Sequence, residues 1–342
     1  MADTPTTVGF AGAGWVTVIH GMAAGVFDDV RVGPVASRQA PHAARRVAQA
    51  GGEPVGYEDL PGDADAVIVA TPPPLHRREA ERAVDGGATV LVETPLAATL
   101  ADADALVAES ETGRLAYGEN LVHSPVVAEA VAACRRMGEL THLEVRFSQG
   151  RPEGGPERTS AAWGGGAGFD LGVHAVALAL LMAAPARVTR VTAMLFEGGD
   201  IEVDDDATLT LAFDTGLTAQ VRATWRAAAP VWDAQAASAT SAVRVELVPD
   251  PTVELNGSPL RVARPPSGLP TDQLHHLGYL DQMGALAADA AARRTPRVGP
   301  LLGRLLLEIV CAAYTSARTG EPEAVPFTGP RDRTPHELWT GA

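Results

Sequence analysis

Asp170 and His174 stand four residues apart in "WGGGAGFDLGVHAVALALLM", where a glycine run ends a loop and a helix begins near Phe169. That spacing puts both side chains on one helical face, one turn from each other. A carboxylate beside an imidazole, whose ordinary pKa of about 6.5 lies close to neutrality, can give or take a proton during a reaction. The residues alone leave a second reading open. An acid at a helix start is favoured by the macrodipole, and a histidine one turn on can be buried and satisfied.

A second group sits near the N-terminus. "VGFAGAGWVTVIHG" places Gly12 and Gly14 at the turn from a strand into a helix. There the missing side chains let a pyrophosphate approach backbone N–H groups and the positive helix end. Thr17 occupies the place of the third small residue of that pattern, crowding the helix against the strand without reaching a phosphate. Ser37 and Arg38 end the second strand, where an acid would hold a ribose 2′-hydroxyl. A hydroxyl and a guanidinium suit a 2′-phosphate, which points to NADP over NAD, although an exposed loop arginine reads equally well.

These residues need a frame. From Thr6 to about Asn120 short apolar runs alternate with helical segments, the βαβ pattern of a parallel sheet. The strands expected are "TVGFAG", "VRVGPVAS", "DAVIVAT", "ATVLVE" and "RLAYGE", and the helices are 15–24, 41–50, 75–85 and 100–110. After Asn120 the texture changes. Ser124 and Pro125 open a helix, and "THLEVRFSQ", "RVTRVTAMLFE", "ATLTLAFDTGLTAQVRATW" and "AVRVELVPDPTVELNGSPLRV" alternate as strands with hairpin turns at "DTG" and "NG". Helices over 274–292 and 301–319 close the chain. The expectation is an α/β protein: an N-terminal Rossmann domain with a parallel sheet over 1–122, and a C-terminal α/β domain with a predominantly antiparallel open sheet over 123–342.

Composition narrows the partners. The net charge of −15, with all 27 basic residues arginine, repels nucleic acid and anionic membrane surfaces. The start of the chain, "MADTPTTVGFAGAG", enters a strand without a charged and then apolar leader, and "LGVHAVALALLMAAPA" reads as too short to span a bilayer. Cys134 and Cys311 are far apart and lack neighbouring metal-type ligands, so neither a disulfide framework nor a metal site is expected, and a cytoplasmic location is the default.

With "AGAGWVTVIH", "VATPPPLH", "VETPL", "GEN" and "GGGAGFDLGVH" in this order, the chain resembles the Gfo/Idh/MocA family of dinucleotide-dependent oxidoreductases, from about Thr7 to Phe327. The resemblance implies hydride transfer between NAD(P) and a sugar, cyclitol or related carbon, and a homodimer or homotetramer formed through the C-terminal sheet. It implies that Gly12, Gly14, Trp15 and Val16 line the pyrophosphate, and that Ser37 and Arg38 meet the adenosine ribose. Thr71, Pro72 and His76 border the cofactor, with a backbone-bonded imidazole as the alternative for His76. Glu93 and Asn120 lie near the nicotinamide ribose. It puts Asp170 and His174 on the substrate side, with His174 as proton relay. Arg151, Arg158 and Trp163, in "SQGRPEGGPERTSAAWGGG", are candidate substrate contacts, with solvent-facing loop arginines the commoner reading, and His123 is either a second imidazole of the site or the residue preceding a helix cap.

One position departs from the pattern. Where the family carries Glu-Lys-Pro, this chain has Glu93-Thr94-Pro95. Threonine keeps a hydroxyl but cannot act as an acid or base near neutrality. Positioned acid–base help is worth about 3 to 5 kcal/mol of barrier. Three readings follow: a dehydrogenase or reductase with His174 as sole relay and Thr94 bonding the substrate oxygen, including one that reduces an already charged iminium; an enzyme that retains the cofactor for elimination, epimerisation or hydrolysis; or a catalytically silent NADP-binding sensor or partner subunit. The intact Asp170–His174 pair favours the first.

Overall fold

The structure, a computed structural model, describes residues 4–152, 156–267 and 269–342. The chain forms two compact units.

The first holds a six-stranded sheet of β1 (Thr6–Ala11), β2 (Val30–Ala36), β3 (Glu53–Val55), β4 (Ala66–Val69), β5 (Thr89–Val92) and β6 (Leu115–Tyr117), in the order β3-β2-β1-β4-β5-β6. Every pairing is parallel. β1, β4, β5 and β6 are buried along their whole length, which is why they read as unbroken apolar runs rather than alternating ones. Their connections carry α1 (Trp15–Ala24), α2 (Ala40–Ala50), α3 (His76–Asp85) and α4 (Leu100–Glu109).

The second unit holds a nine-stranded sheet: β7 (Leu140–Gly150), β8 (Val188–Glu197), β9 (Asp204–Phe213), β10 (Thr218–Thr224), β11 (Arg226–Ser238), β12 (Ala242–Val248), β13 (Thr252–Leu255), β14 (Ser258–Pro259) and β15 (Glu323–Ala324). The order is β14-β13-β12-β11-β7-β10-β9-β8-β15, antiparallel except for the β7–β10 pair. Strands such as β8 and β10 alternate buried and exposed residues, because α5 (Pro125–Met137) and α7 (Gly172–Ala183), the latter preceded by the single turn α6 (Ala167–Asp170), cover one face only. Met194 and Phe196 are exposed on the other face. The Ser124 hydroxyl caps α5 by accepting from Val127 N–H, and Asn256 and Gly257 both take positive φ in the "NG" turn between β13 and β14.

The remaining helices are α8 (Gln273–His276), α9 (Tyr279–Ala292), α10 (Pro300–Thr319) and α11 (Pro335–Thr340). The helix expected over 274–292 is interrupted at Gly278, whose φ of +89° is left-handed. The division at residue 122 also needs correction. Residues 265–304 belong to the first unit, since Met283, Leu286, Ala287 and Ala290 of α9 share a core with Val8, Phe10, Ile68 and Leu91. A chain that returns to its first sheet cannot be divided by one cut.

Two further differences have plain causes. β11 is not apparent in "RAAAPVWDAQAAS", an alanine-rich stretch containing a proline, yet it pairs on both sides; its register with β7 jumps between Arg226 and Val231, around Pro230, which has no N–H to give. The helix read as too short to span a bilayer runs from Ala161 to Ala183, 23 residues, once its preceding turns are included. That stretch and α10 are both long and apolar enough to cross a membrane, but 72% of each apolar window is buried inside the protein, as in core helices.

Candidate active site

In the first unit the sheet itself gathers the candidate residues. Gly12 N–H bonds Ala36 O just before Ser37, Ala70 N–H bonds Ala11 O, Glu93 N–H bonds Val69 O and Gly118 N–H bonds Val92 O. The ends of β1, β2, β4, β5 and β6 are thereby stitched into one edge, the place where parallel sheets bind ligands.

Gly12 takes a φ of +121°, and a Cβ there would overlap the Ala70 carbonyl, its carbon only 2.6 Å away. Gly14 has room: a Cβ on it would meet nothing closer than Ala70 O at 4.0 Å. It caps α1 without a side-chain hydrogen bond, so the first-turn N–H groups that follow it, those of Trp15 and Val16 among them, depend on an external acceptor. Trp15 is 68% exposed beside this turn. Thr17 repays its bulk by donating its hydroxyl to Gly12 O at 3.0 Å, fastening the turn from inside. Arg46 of α2, which was not singled out from sequence, fastens it from outside by donating Nε–H to Ala13 O at 3.0 Å. Ser37 is half-buried and accepts from Gln39 N–H, while Arg38 is exposed and acts electrostatically on the Tyr57 hydroxyl.

Several expected cofactor residues are occupied by the protein itself. Both nitrogens of the buried His76 face backbone carbonyls, Nε2 that of Thr71 at 2.7 Å and Nδ1 that of Leu96 at 3.3 Å. Burial lowers its pKa, favouring a neutral ring whose single N–H can donate to only one of these two carbonyls. This is the backbone-bonded arrangement, and it leaves neither nitrogen facing outward. Thr71, in contrast, buries a hydroxyl with no partner. Glu93 places Oε1 2.5 Å from His20 Nε2 and accepts Thr94 N–H on Oε2 at 3.2 Å. His20 is fully buried, its ring edge-on to Tyr279 at 5.6 Å and its Nδ1 unpartnered. Asn120 donates Nδ2–H to Leu277 O at 2.7 Å. Thr94 is half-buried, and its peptide bond to Pro95 is cis. His20 lies inside the quoted glycine motif, yet its pairing with Glu93, 73 residues away, has no local signal. His123 is largely buried, with its pKa lowered chiefly by that burial.

In the second unit, α6 runs into α7 through Leu171, whose backbone remains helical, so Asp170 and His174 keep the one-turn spacing their numbers imply. Arg158 joins them. Its guanidinium lies 3.8 Å from the Asp170 carboxylate and 5.4 Å from the centre of the Trp163 ring. Arg151 is committed elsewhere, to Asp200 at 2.5 Å and Asp205 at 3.5 Å. Part of this loop, residues 153–155, lies outside the described residues. His174 is half-buried.

The acidic stretch "DIEVDDD" proves to be the anchor of the loop. Glu202 accepts from Ala161 N–H at 2.8 Å and from the Ser160 hydroxyl. Asp204 accepts from Gly166 N–H at 3.0 Å, Gly168 N–H at 2.8 Å and the Tyr314 hydroxyl at 2.5 Å. Asp205 pairs with Arg226 as well as Arg151. The clustered acids were the available signal, but nothing local shows that they fold back about 40 residues onto glycines. Among the described residues no group of three His, Cys, Asp or Glu side chains is arranged to hold a metal.

Residues 6–119 match the oxidoreductase family with an NAD-binding Rossmann fold, and residues 127–257 match the GFO/IDH/MocA C-terminal domain. The chain belongs to the Gfo/Idh/MocA oxidoreductase family. Among curated relatives, dTDP-3,4-didehydro-2,6-dideoxy-alpha-D-glucose 3-reductase from Actinomadura kijaniata is 30% identical over 63% of this chain and 66% of its own, just under two thirds of its length. D-xylose 1-dehydrogenase (NADP(+)) 2 from Haloferax volcanii is 28% identical over 77% of this chain and 82% of its own. Among solved structures, GenD2 from gentamicin A biosynthesis, in complex with NAD, superposes with a TM-score of 0.82 at 24% identity, covering 95% of this chain and 97% of that one, a likeness of fold.

Proposed function

We propose that this member of the Gfo/Idh/MocA family is an NAD(P)-dependent oxidoreductase that exchanges a hydride with a sugar, cyclitol or related C=O, CH–OH or C=N carbon. One observation carries the cofactor half: a helix start capped only by glycine, at a strand edge where Gly12 cannot bear a side chain and Gly14 leaves space for a phosphate. The unpartnered Thr71 hydroxyl at the same edge fits a ligand acceptor. NADP is preferred on Ser37 and Arg38, in keeping with the NADP(+) in the name of the xylose dehydrogenase relative.

When bound, the dinucleotide supplies or accepts the hydride at its nicotinamide. The chain does the rest. Its His174 imidazole donates a proton to the carbonyl oxygen as hydride arrives at carbon, or takes that proton from the hydroxyl when hydride leaves. Asp170 orients the imidazole or holds a neighbouring substrate hydroxyl, with the Arg158 guanidinium 3.8 Å from its carboxylate. Thr94 bonds the reacting oxygen where the family has a lysine, and Glu93 fixes the Thr94 backbone. His76, Glu93 and Asn120 shape the cofactor edge through the backbone they hold.

Thr94 also favours a second reading, in which the cofactor stays bound without net redox chemistry, or without any. Titration with NADPH and NADH by fluorescence, followed by a screen of keto sugars, polyols and cyclic imines at the nicotinamide absorbance band, separates the two. Net absorbance change supports the oxidoreductase. Bound cofactor with no change on any substrate supports the second reading, and failure of both dinucleotides to bind removes both.

We further infer a homodimer or homotetramer formed through the exposed face of the nine-stranded sheet, which carries Met194 and Phe196. Both cysteines are free and buried, which suits a reducing, cytoplasmic compartment.

A further inference from the structure

Asp204 is the first residue of β9 and is fully buried, yet no part of the chemistry above touches it. Its carboxylate spans the start of α6. Gly166, the N-cap of that helix, has no side chain to bond the first-turn N–H groups, and Asp204 supplies the missing acceptors from a different strand. The fit is close on every side. A Cβ at Gly166 would overlap the Asp204 carbonyl, and one at Gly168 would lie 3.2 Å from Asp204 Oδ2 and 3.1 Å from the Tyr314 hydroxyl. Tyr314 fixes the carboxylate by donating its hydroxyl to Oδ1.

We propose that Asp204, locked by Tyr314, is a positioning residue for turnover: a cap borrowed from β9 that sets the entry of the helical segment carrying Asp170 and His174. The proposal rests on the reading of those two residues as the proton-handling pair. It explains Gly166 and Gly168, which are small because Asp204 and its strand occupy the space, while Gly164 and Gly165 lie against Phe169. It also explains a cost. Burial raises the Asp204 pKa to about 6 despite the hydrogen bonds it accepts, so folding with the group ionised is less favourable than folding with it neutral. A group present for stability alone would not need the charge. Two oxygens that accept from two separate N–H groups need it, because an amide in the same place turns an NH₂ towards one of them.

The test compares Asp204→Asn, Tyr314→Phe and His174→Ala in the full chain. Amide hydrogen exchange over residues 164–174, thermal unfolding, NADPH affinity and stoichiometry, and kcat and KM on a substrate of the wild type are measured together. Asp204→Asn is expected to speed exchange in that segment at least about tenfold without doing so elsewhere, and to lower kcat about 10- to 100-fold with NADPH binding retained. Tyr314→Phe is expected to act in the same direction more weakly, and decides the matter if Asp204→Asn does not fold. Unchanged exchange over 164–174 overturns the proposal, as does faster exchange with wild-type kcat. Exchange accelerated throughout, with full turnover per bound NADPH, also overturns it, in favour of a purely structural role. If His174→Ala keeps full turnover while Asp204→Asn still loosens the segment, it is the proton-relay reading that fails and not the capping contact.

Discussion

The edge of the six-stranded sheet and the loop ahead of α7 solve the same problem, holding the candidate site residues still, by different means. At the sheet edge the strand ends already lie side by side, and the expected residues mostly brace the backbone beside them: His76 bonds Thr71 five residues away and Glu93 bonds its neighbour Thr94, although Asn120 reaches Leu277 across 157 residues. In the second unit the holding groups come from far along the chain, with Asp204 reaching Gly168 across 36 residues and Tyr314 reaching Asp204 across 110. The first arrangement follows from strand geometry that every sheet of this kind shares. The second must be built by particular side chains, so substitutions there fall outside the recognisable motifs and still reach the chemistry.

The largest expected effect breaks the second region at its chemistry. His174→Ala should lower kcat by about 10² to 10⁴ with NADPH affinity unchanged, read by steady-state kinetics and fluorescence titration. The counterpart in the first region is structural: His20→Ala leaves the Glu93 carboxylate buried without its partner and should destabilise the protein by about 3 to 5 kcal/mol in denaturant unfolding. Gly12→Ala and Gly14→Ala divide the cradle. The former must move Ala70 or distort a positive φ and should cost about 2 to 3 kcal/mol, while the latter folds normally and weakens only the dinucleotide. A smaller effect follows pH. The Asp204 pKa is about 6 in the folded protein and 3.8 unfolded, so its penalty is absent below about pH 4, grows to about pH 6 and is constant above. The Tm of Asp204→Asn should therefore gain on wild type across that window by roughly 2 to 5 °C. Smallest is Arg38→Ala, which should weaken NADPH about tenfold and leave NADH nearly unchanged.

What could be read from the sequence follows the same division. The parallel strands, Gly12, Gly14 and the Ser124 cap were legible because each answers a local requirement: an apolar run buried on both faces, a turn with positive φ, a helix start. Asp170 and His174 stood out by spacing, and their function only by resemblance. Arg46, His20 and the acidic stretch of β9 were not legible, since each works through a partner that folding alone brings near. β11 was missed for a related reason: its alanines have little preference for a strand, and pairing on both sides supplies what propensity does not. The return of α9 to the first sheet is likewise a matter of packing, invisible to a reading that divides the chain by texture.

The central claim is that a hydride passes between the dinucleotide and a sugar-like carbon while this chain manages the proton. It is tested most directly with NADPH deuterated at the transferring position of the nicotinamide, incubated with the protein and keto sugars, free and nucleotide-linked, with the product read by mass spectrometry. The account predicts one deuterium in the product for each NADPH consumed, with His174→Ala forming the same labelled product about 10² to 10⁴ times more slowly. A product formed without deuterium, or bound NADPH that is never consumed across the series, would contradict it.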